Sequence, residues 1–93
     1  MASYRVLSWR NIPAAVEAQG GSESATRQLS ERFQALIDSA AMQLGLEDSD
    51  RYLEGWQRSE PAERAGTAPA VVDAVAAELE ERFPEFIVQT FHR

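Results

Sequence analysis

Apolar residues gather in short segments along this chain, set apart by polar stretches that carry Gly or Pro. The first, Tyr4-Arg5-Val6-Leu7-Ser8-Trp9, is rich in β-branched and aromatic types and closes at Asn11 and Pro13, which makes it a strand by length and composition. Tyr4 and Val6 then point one way, Leu7 and Trp9 the other. Beyond the Asn11-Ile12-Pro13 corner, Ala14-Ala15-Val16-Glu17-Ala18-Gln19 alternates small apolar with polar residues up to Gly20-Gly21, as a second, antiparallel strand would. A short helix is the alternative there, because Ala is a poor strand former. Gly20-Gly21-Ser22-Glu23-Ser24 is polar, lacks periodicity and reads as a mobile loop.

The pattern then changes period. Ser30 offers an N-cap oxygen, Glu31 sits in the first turn, and Phe33, Leu36, Ile37, Ala40 and Leu44 recur on one helical face, predicting a helix over residues 31–44. Gly45 suits the left-handed position that ends it, with Leu46 folding back over the end. Tyr52-Leu53-Glu54-Gly55-Trp56-Gln57-Arg58 reads as a third strand, with Gly55 at a bulge or beneath a large neighbouring side chain. Ser59 to Gly66, with Pro61 and alternating charge, should turn the chain back through solvent. A second helix begins near Thr67, tolerates Pro69 in its first turn, and lines up Val71, Val72, Val75, Leu79 and Phe83. Glu78 and Arg82 form an i,i+4 pair on it, and Pro84 stops it. Glu85 to Phe91 is too apolar for a free tail, and is expected either to add an edge strand or to dock elsewhere.

These elements define an α+β domain of order ββαβα, with both helices on one face of a short, mainly antiparallel sheet and room for an extra C-terminal strand. Each helix has one apolar stripe, so Phe33, Leu36, Ile37, Leu44, Val72, Val75 and Leu79 are expected in a core beneath the helices while the other sheet face stays wet. On that wet face Trp9 and Trp56 are the distinctive candidates, with Arg5, Arg10 and Arg58 on the same strands or their ends. Aromatics and Arg are the types enriched at interface anchors. Alternatively, both Trp seal the sheet against the helices, since a large aromatic in a small domain is commonly core.

Composition narrows the chemistry. Ninety-three residues make one domain, 1–93, able to bury roughly 60–65% of the surface its unfolded chain exposes. There is no cysteine and no lysine, and the one histidine, His92, is next to last. A thiol, an imidazole and a perturbed amine are thus missing or badly placed for catalysis, which favours an interaction role over an enzymatic one. The absence of cysteine, of a basic apolar leader and of a run near the ~20 residues of a membrane helix points to a cytoplasmic protein. Fifteen acidic against nine basic side chains give a net charge of −6, which argues against nucleic acid and anionic lipid as partners. Glu47, Asp48 and Asp50 fail the spacing of a calcium loop, because Leu53 and Ser59 stand where its Gly and bidentate Glu belong. Gly20-Gly21 has no basic residue closely following to hold a phosphate. No metal or cofactor is expected.

Tyr-Arg-Val-Leu-Ser-Trp-Arg-Asn-Ile-Pro-Ala at 4–14, Glu-Arg-Phe-Gln-Ala-Leu-Ile-Asp-Ser-Ala-Ala-Met at 31–42, Tyr-Leu-Glu-Gly-Trp at 52–56 and Ala-Val-Ala-Ala-Glu-Leu-Glu at 74–80 resemble the small bacterial domain family labelled "virulence factor". The same domain type occurs in conserved virulence factor C-like proteins. The resemblance covers about residues 4–83, Tyr-Leu-Glu-Gly-Trp being its most specific piece, and leaves 84–93 as an apolar extension. It implies no catalytic residues. It does imply a supporting role beside methylenetetrahydrofolate reductase components or corrinoid-dependent methyl transfer in one-carbon metabolism. The expectation is therefore a non-catalytic accessory protein docking on a larger partner through Trp9, Arg10, Trp56 and Arg58, helped by Phe86 and Phe91. The alternative is a single-stranded RNA binder that stacks bases on Trp9 and Trp56. A homo-oligomer pairing through the last strand is a third possibility.

Overall fold

The computed structural model describes residues 1–45 and 50–91. Five strands form one antiparallel sheet: β1 (Ala2–Trp9), β2 (Ile12–Gly20), β3 (Glu23–Gln28), β4 (Trp56–Arg58) and β5 (Ala62–Arg64). Four helices accompany it: α1 (Glu31–Leu44), α2 (Asp50–Glu54), α3 (Ala68–Glu81) and α4 (Phe83–Phe91). The class is the expected α+β.

β1 lies in the middle, as its apolar content on both faces suits. β2 and then β3 follow on one side, while β4 and β5 share the other, β4 against Leu7–Trp9 and β5 against Ala2–Tyr4. The register of β2 on β1 slips after Leu7, which pairs with Ala15 while Ser8 pairs with Pro13. Ala14 is the bulged residue, and Pro13, which has no N–H to give, is tolerated beside it.

Two of the chain's polar stretches are more ordered than their sequence suggests, and one expected strand is broken. The loop expected over Gly20–Ser24 shrinks to a tight Gly21-Ser22 turn, with Gly21 at φ 60°, and Glu23–Gln28 runs back as β3. Residues 59–66, expected to cross solvent, supply β5. The expected strand over 52–58 is divided at Gly55: Tyr52 and Leu53 belong to the short helix α2, and pairing begins only at Trp56.

The predicted helices hold. Along α1, Phe33, Leu36, Ile37, Ala40 and Ala41 are buried, and Gly45 ends it at φ 69° with its N–H returned to the Met42 carbonyl at 3.1 Å. Leu44 departs from the expected core: it is 54% exposed, one turn beyond the last buried position. Leu46, Glu47 and Asp48, and with them the expected closing contact and most of the acidic cluster, lie outside the described residues, as does His92. In α3 the Thr67 hydroxyl accepts the Ala70 N–H at 3.3 Å, Pro69 occupies the first turn, and Val71, Val72, Val75, Ala76 and Leu79 are buried. The chain after Arg82 is helix rather than strand: Pro84 ends α3 but fits the first turn of α4, where Phe83, Phe86 and Thr90 share one face.

α3 lies along the sheet, over the face that carries Ala2, Tyr4, Val6, Val16, Ala18 and Ala25. Ion pairs tie its flanks down, Arg27 to Asp73 at 2.6 Å and Arg64 to Glu78. Arg82 pairs with Glu85 at 2.9 Å, so the expected Glu78–Arg82 pair is replaced on both sides. α1 and α4 pack together at the sheet end where β1 turns into β2, with Ala40, Leu44, Gln89 and Thr90 gathered around Trp9–Ile12. Phe33 joins these layers, meeting Phe83 edge-on at 4.9 Å and Phe86 at 6.0 Å. The N-terminus of α1 is completed from α3. Ser30 has the extended backbone of an N-cap, but its side chain caps nothing locally; its N–H and hydroxyl both donate to the Glu80 carboxylate, at 2.7 and 2.8 Å.

Candidate interaction surface

Strand alternation puts Trp9 on the face opposite α3, with Ser3, Arg5 and Leu7, as the sequence suggested. It is nevertheless fully buried, at 0% exposure. Its indole N–H donates to the Tyr52 carbonyl at 2.7 Å, and the Tyr52 ring tilts against it at 5.6 Å. Gly55 is pressed to the indole so closely that a Cβ there would fall 2.6 Å from Nε1, which fulfils the expectation of a large side chain over that glycine. Trp9 therefore has no surface for a partner. Trp56, opposite it in register, is half-buried and meets the Tyr52 ring edge-on at 6.3 Å.

The two arginines have separate settings. Arg10 sits in the two-residue β1–β2 turn at φ 54°, its N–H donating to the Gly55 carbonyl at 2.8 Å and its guanidinium 5.3 Å from the Trp9 ring. Arg58 lies on the open sheet face, 2.6 Å from Glu17. The hydrogen bond and charge of Glu17 hold its pKa above the ordinary value. Around them Ser3, Arg5, Gln19, Ser24 and Thr26 line a shallow polar floor. The wet face exists where these hydrogen-bonding groups lie; at its other end Tyr52 covers Trp9 and Trp56 is half-buried.

Apolar surface appears elsewhere. Phe86 is buried against Phe33, beneath the Arg82 guanidinium at 5.2 Å, and so serves the core. One residue further the direction reverses: Ile87, Val88 and Phe91 are 39%, 60% and 41% exposed and fall within about 100° of one another around α4. A helix apolar on both sides normally has cover on both. Here the side carrying Phe83, Phe86 and Thr90 meets the core, and the side carrying Ile87, Val88 and Phe91 is only partly covered. Sequence reasoning had singled out Phe91 but missed Ile87 and Val88. Their signal was the helical spacing of Phe83, Phe86 and Thr90, which sets the remaining apolar residues outward. Beside this helix, Trp9, Arg10, Ile12, Ala40, Leu44 and Thr90 line a cavity of about 200 Å³.

Titratable groups are spread out. Among the described residues no three His, Cys, Asp or Glu are placed to hold a metal ion. The one dense polar cluster is at the start of α1. There burial opposes the charge of Glu80, but the Ser30 N–H, the Ser30 hydroxyl and Arg32 outweigh it and hold the carboxyl below its ordinary 4.5. Arg32 donates to that carboxylate at 3.0 Å and to the Glu80 carbonyl at 2.6 Å. Every group in this cluster is engaged in joining α1 to α3.

A mainly antiparallel sheet with one helix laid along it and two packed across its end defines a small α+β domain. The virulence factor family model matches residues 7–91, nearly the whole chain, and the chain belongs to that family. The match runs past residue 83 to the end of α4, so α4 is part of the family unit rather than an extension to it. No curated protein and no solved structure matches the chain. No described helix is long and apolar enough to cross a membrane.

Proposed function

We propose that this protein is a non-catalytic accessory domain that docks on a larger protein, and that its docking surface is the outward stripe of α4, centred on Ile87, Val88 and Phe91. The observation that carries this reading is the division of α4 into a buried side and an exposed side that are both apolar. Beside the stripe Glu85 is paired with Arg82, and the chain as a whole carries a net charge of −6. An apolar groove with a polar rim is the complement the stripe fits. The family resemblance makes folate-reducing and corrinoid methyl-transfer enzymes the first partners to test.

This reading moves the site away from Trp9 and Trp56 and keeps Phe91. RNA stacking has less in its favour: Trp9 is buried, and Arg58 is already engaged by Glu17. The test is affinity purification from the native cell with the natural protein and a Val88→Asp variant side by side. A protein held by the first and lost by the second, with both baits melting at the same temperature, supports the surface. Equal recovery by both baits sinks it.

A further inference from the structure

The two edges of the sheet differ. On one side the edge is divided into three-residue strands, β4 and β5, separated by Ser59-Glu60-Pro61. Short strands and a proline are devices that keep an edge from pairing with another chain. The other edge, β3, has none of them. It is six residues long, its register on β2 runs unbroken from Glu23 to Gln28, and it contains no proline and no bulge. Among the described residues no strand pairs with its outer side.

Hydrogen-bond parity shows which groups that edge offers. The Leu29 N–H donates to the Ala14 carbonyl at 2.9 Å, on the β2 side. By alternation Glu23, Ala25 and Arg27 direct their backbone groups to β2, and Ser24, Thr26 and Gln28 direct theirs outward. The side chains also have a pattern. Read antiparallel against itself about Ala25, the segment sets Ser24 opposite Thr26, so their outward N–H and C=O groups meet, and sets Glu23 opposite Arg27 on the same face.

We propose that β3 is a self-pairing edge, and that two copies of this chain join through it into one continuous ten-stranded sheet. Glu23 of each copy then reaches Arg27 of the other, adding a second carboxylate to a guanidinium already held by Asp73, which has donors enough for both. The two-fold axis runs through the sheet, so both α3 helices stand on the same face, beside one another across the join. The flank of α3 next to β3 carries exposed Asp73 and Ala77, with Glu80 half-buried against Ser30 and Arg32, and Ala77 is small enough to permit the approach. The proposal is independent of the α4 surface, which stays exposed in such a dimer.

Sedimentation of the full chain from low micromolar to millimolar concentration reads the association directly. Thr26→Pro deletes an outward N–H without touching the bonds to β2, and edge strands tolerate proline. It should weaken self-association by about tenfold or more. Glu23→Arg sets two like charges opposite each other at both ends of the pairing and should do the same. A Val88→Asp variant should dimerise normally. If Thr26→Pro also lowers the melting temperature, Glu23→Arg decides. A monomer at every concentration, or a dimer indifferent to both β3 substitutions, overturns the proposal.

Discussion

The indole of Trp9 lies against the Cα of Gly55, and its N–H is held by the carbonyl of Tyr52 three residues earlier. One aromatic thereby fixes the end of α2, the start of β4 and the turn at Arg10. Replacing Gly55 with Ala introduces a methyl where no space exists and should cost about 1–3 kcal/mol, as overpacking does. Trp9→Ala should cost about 3–5 kcal/mol. Urea denaturation checks both, and a Gly55→Ala protein as stable as the parent would mean that the indole is free to move aside.

Leu36, buried in the middle of α1, anchors that helix to the rest of the core. Leu36→Ala is expected to lose about 2–5 kcal/mol, a large share of what a domain of this size has. A loss below about 0.5 kcal/mol would place α1 in solvent.

Within α4, neighbouring positions should behave oppositely. Phe86→Ala empties a buried site and is expected to cost about 3–5 kcal/mol. Val88→Asp alters an exposed one and should change stability by less than about 0.5 kcal/mol. Thermal melting of the pair separates the two sides of the helix; equal losses would contradict the stated orientation.

The Ser30–Glu80 contact makes a pH-dependent contribution. The Glu80 carboxyl titrates below its ordinary 4.5 in the folded protein, so its stabilisation is complete above that pH and is lost as pH falls through the lower, folded value. Glu80→Gln should therefore be less stable at neutral pH by about 1 kcal/mol, a figure kept small because the side chain is 30% exposed. The difference should shrink in acid, and denaturation at pH 7 and pH 3 would show it. A gap that stays constant would mean that the carboxylate charge is irrelevant there.

What the sequence revealed depended on whether burial imposed a period. In α1 and α3 one side of each helix meets the core, so Phe33, Leu36, Ile37 and Val71, Val72, Val75, Leu79 recur at helical spacing and were legible. Glu23–Gln28 is exposed along nearly its whole length, with only Ala25 half-buried, so no alternation marks it as a strand. Of the two readings open for Gly55, a bulge or a place under a large side chain, the second holds, yet the helical turn before it reads as strand because Tyr52 and Leu53 suit either state. α4 is a short segment whose apolar residues centre on Phe86-Ile87-Val88, and its length and composition fit a strand as well as a helix. Trp9 was assigned to its proper face; the packing of α2 against that face lay beyond any periodic signal.

The cap that Glu80 places on Ser30 spans fifty positions of sequence, and β1 is flanked on one side by strands that lie as far downstream. During synthesis β1, β2 and β3 emerge first, as a meander with little to bury, and α1 follows with its leading N–H groups unserved. Only when α3 has left the ribosome are the middle strand and the first helix both complete. Folding should thus be a late, single event, with no stable half-length intermediate for a protease or a chaperone to meet.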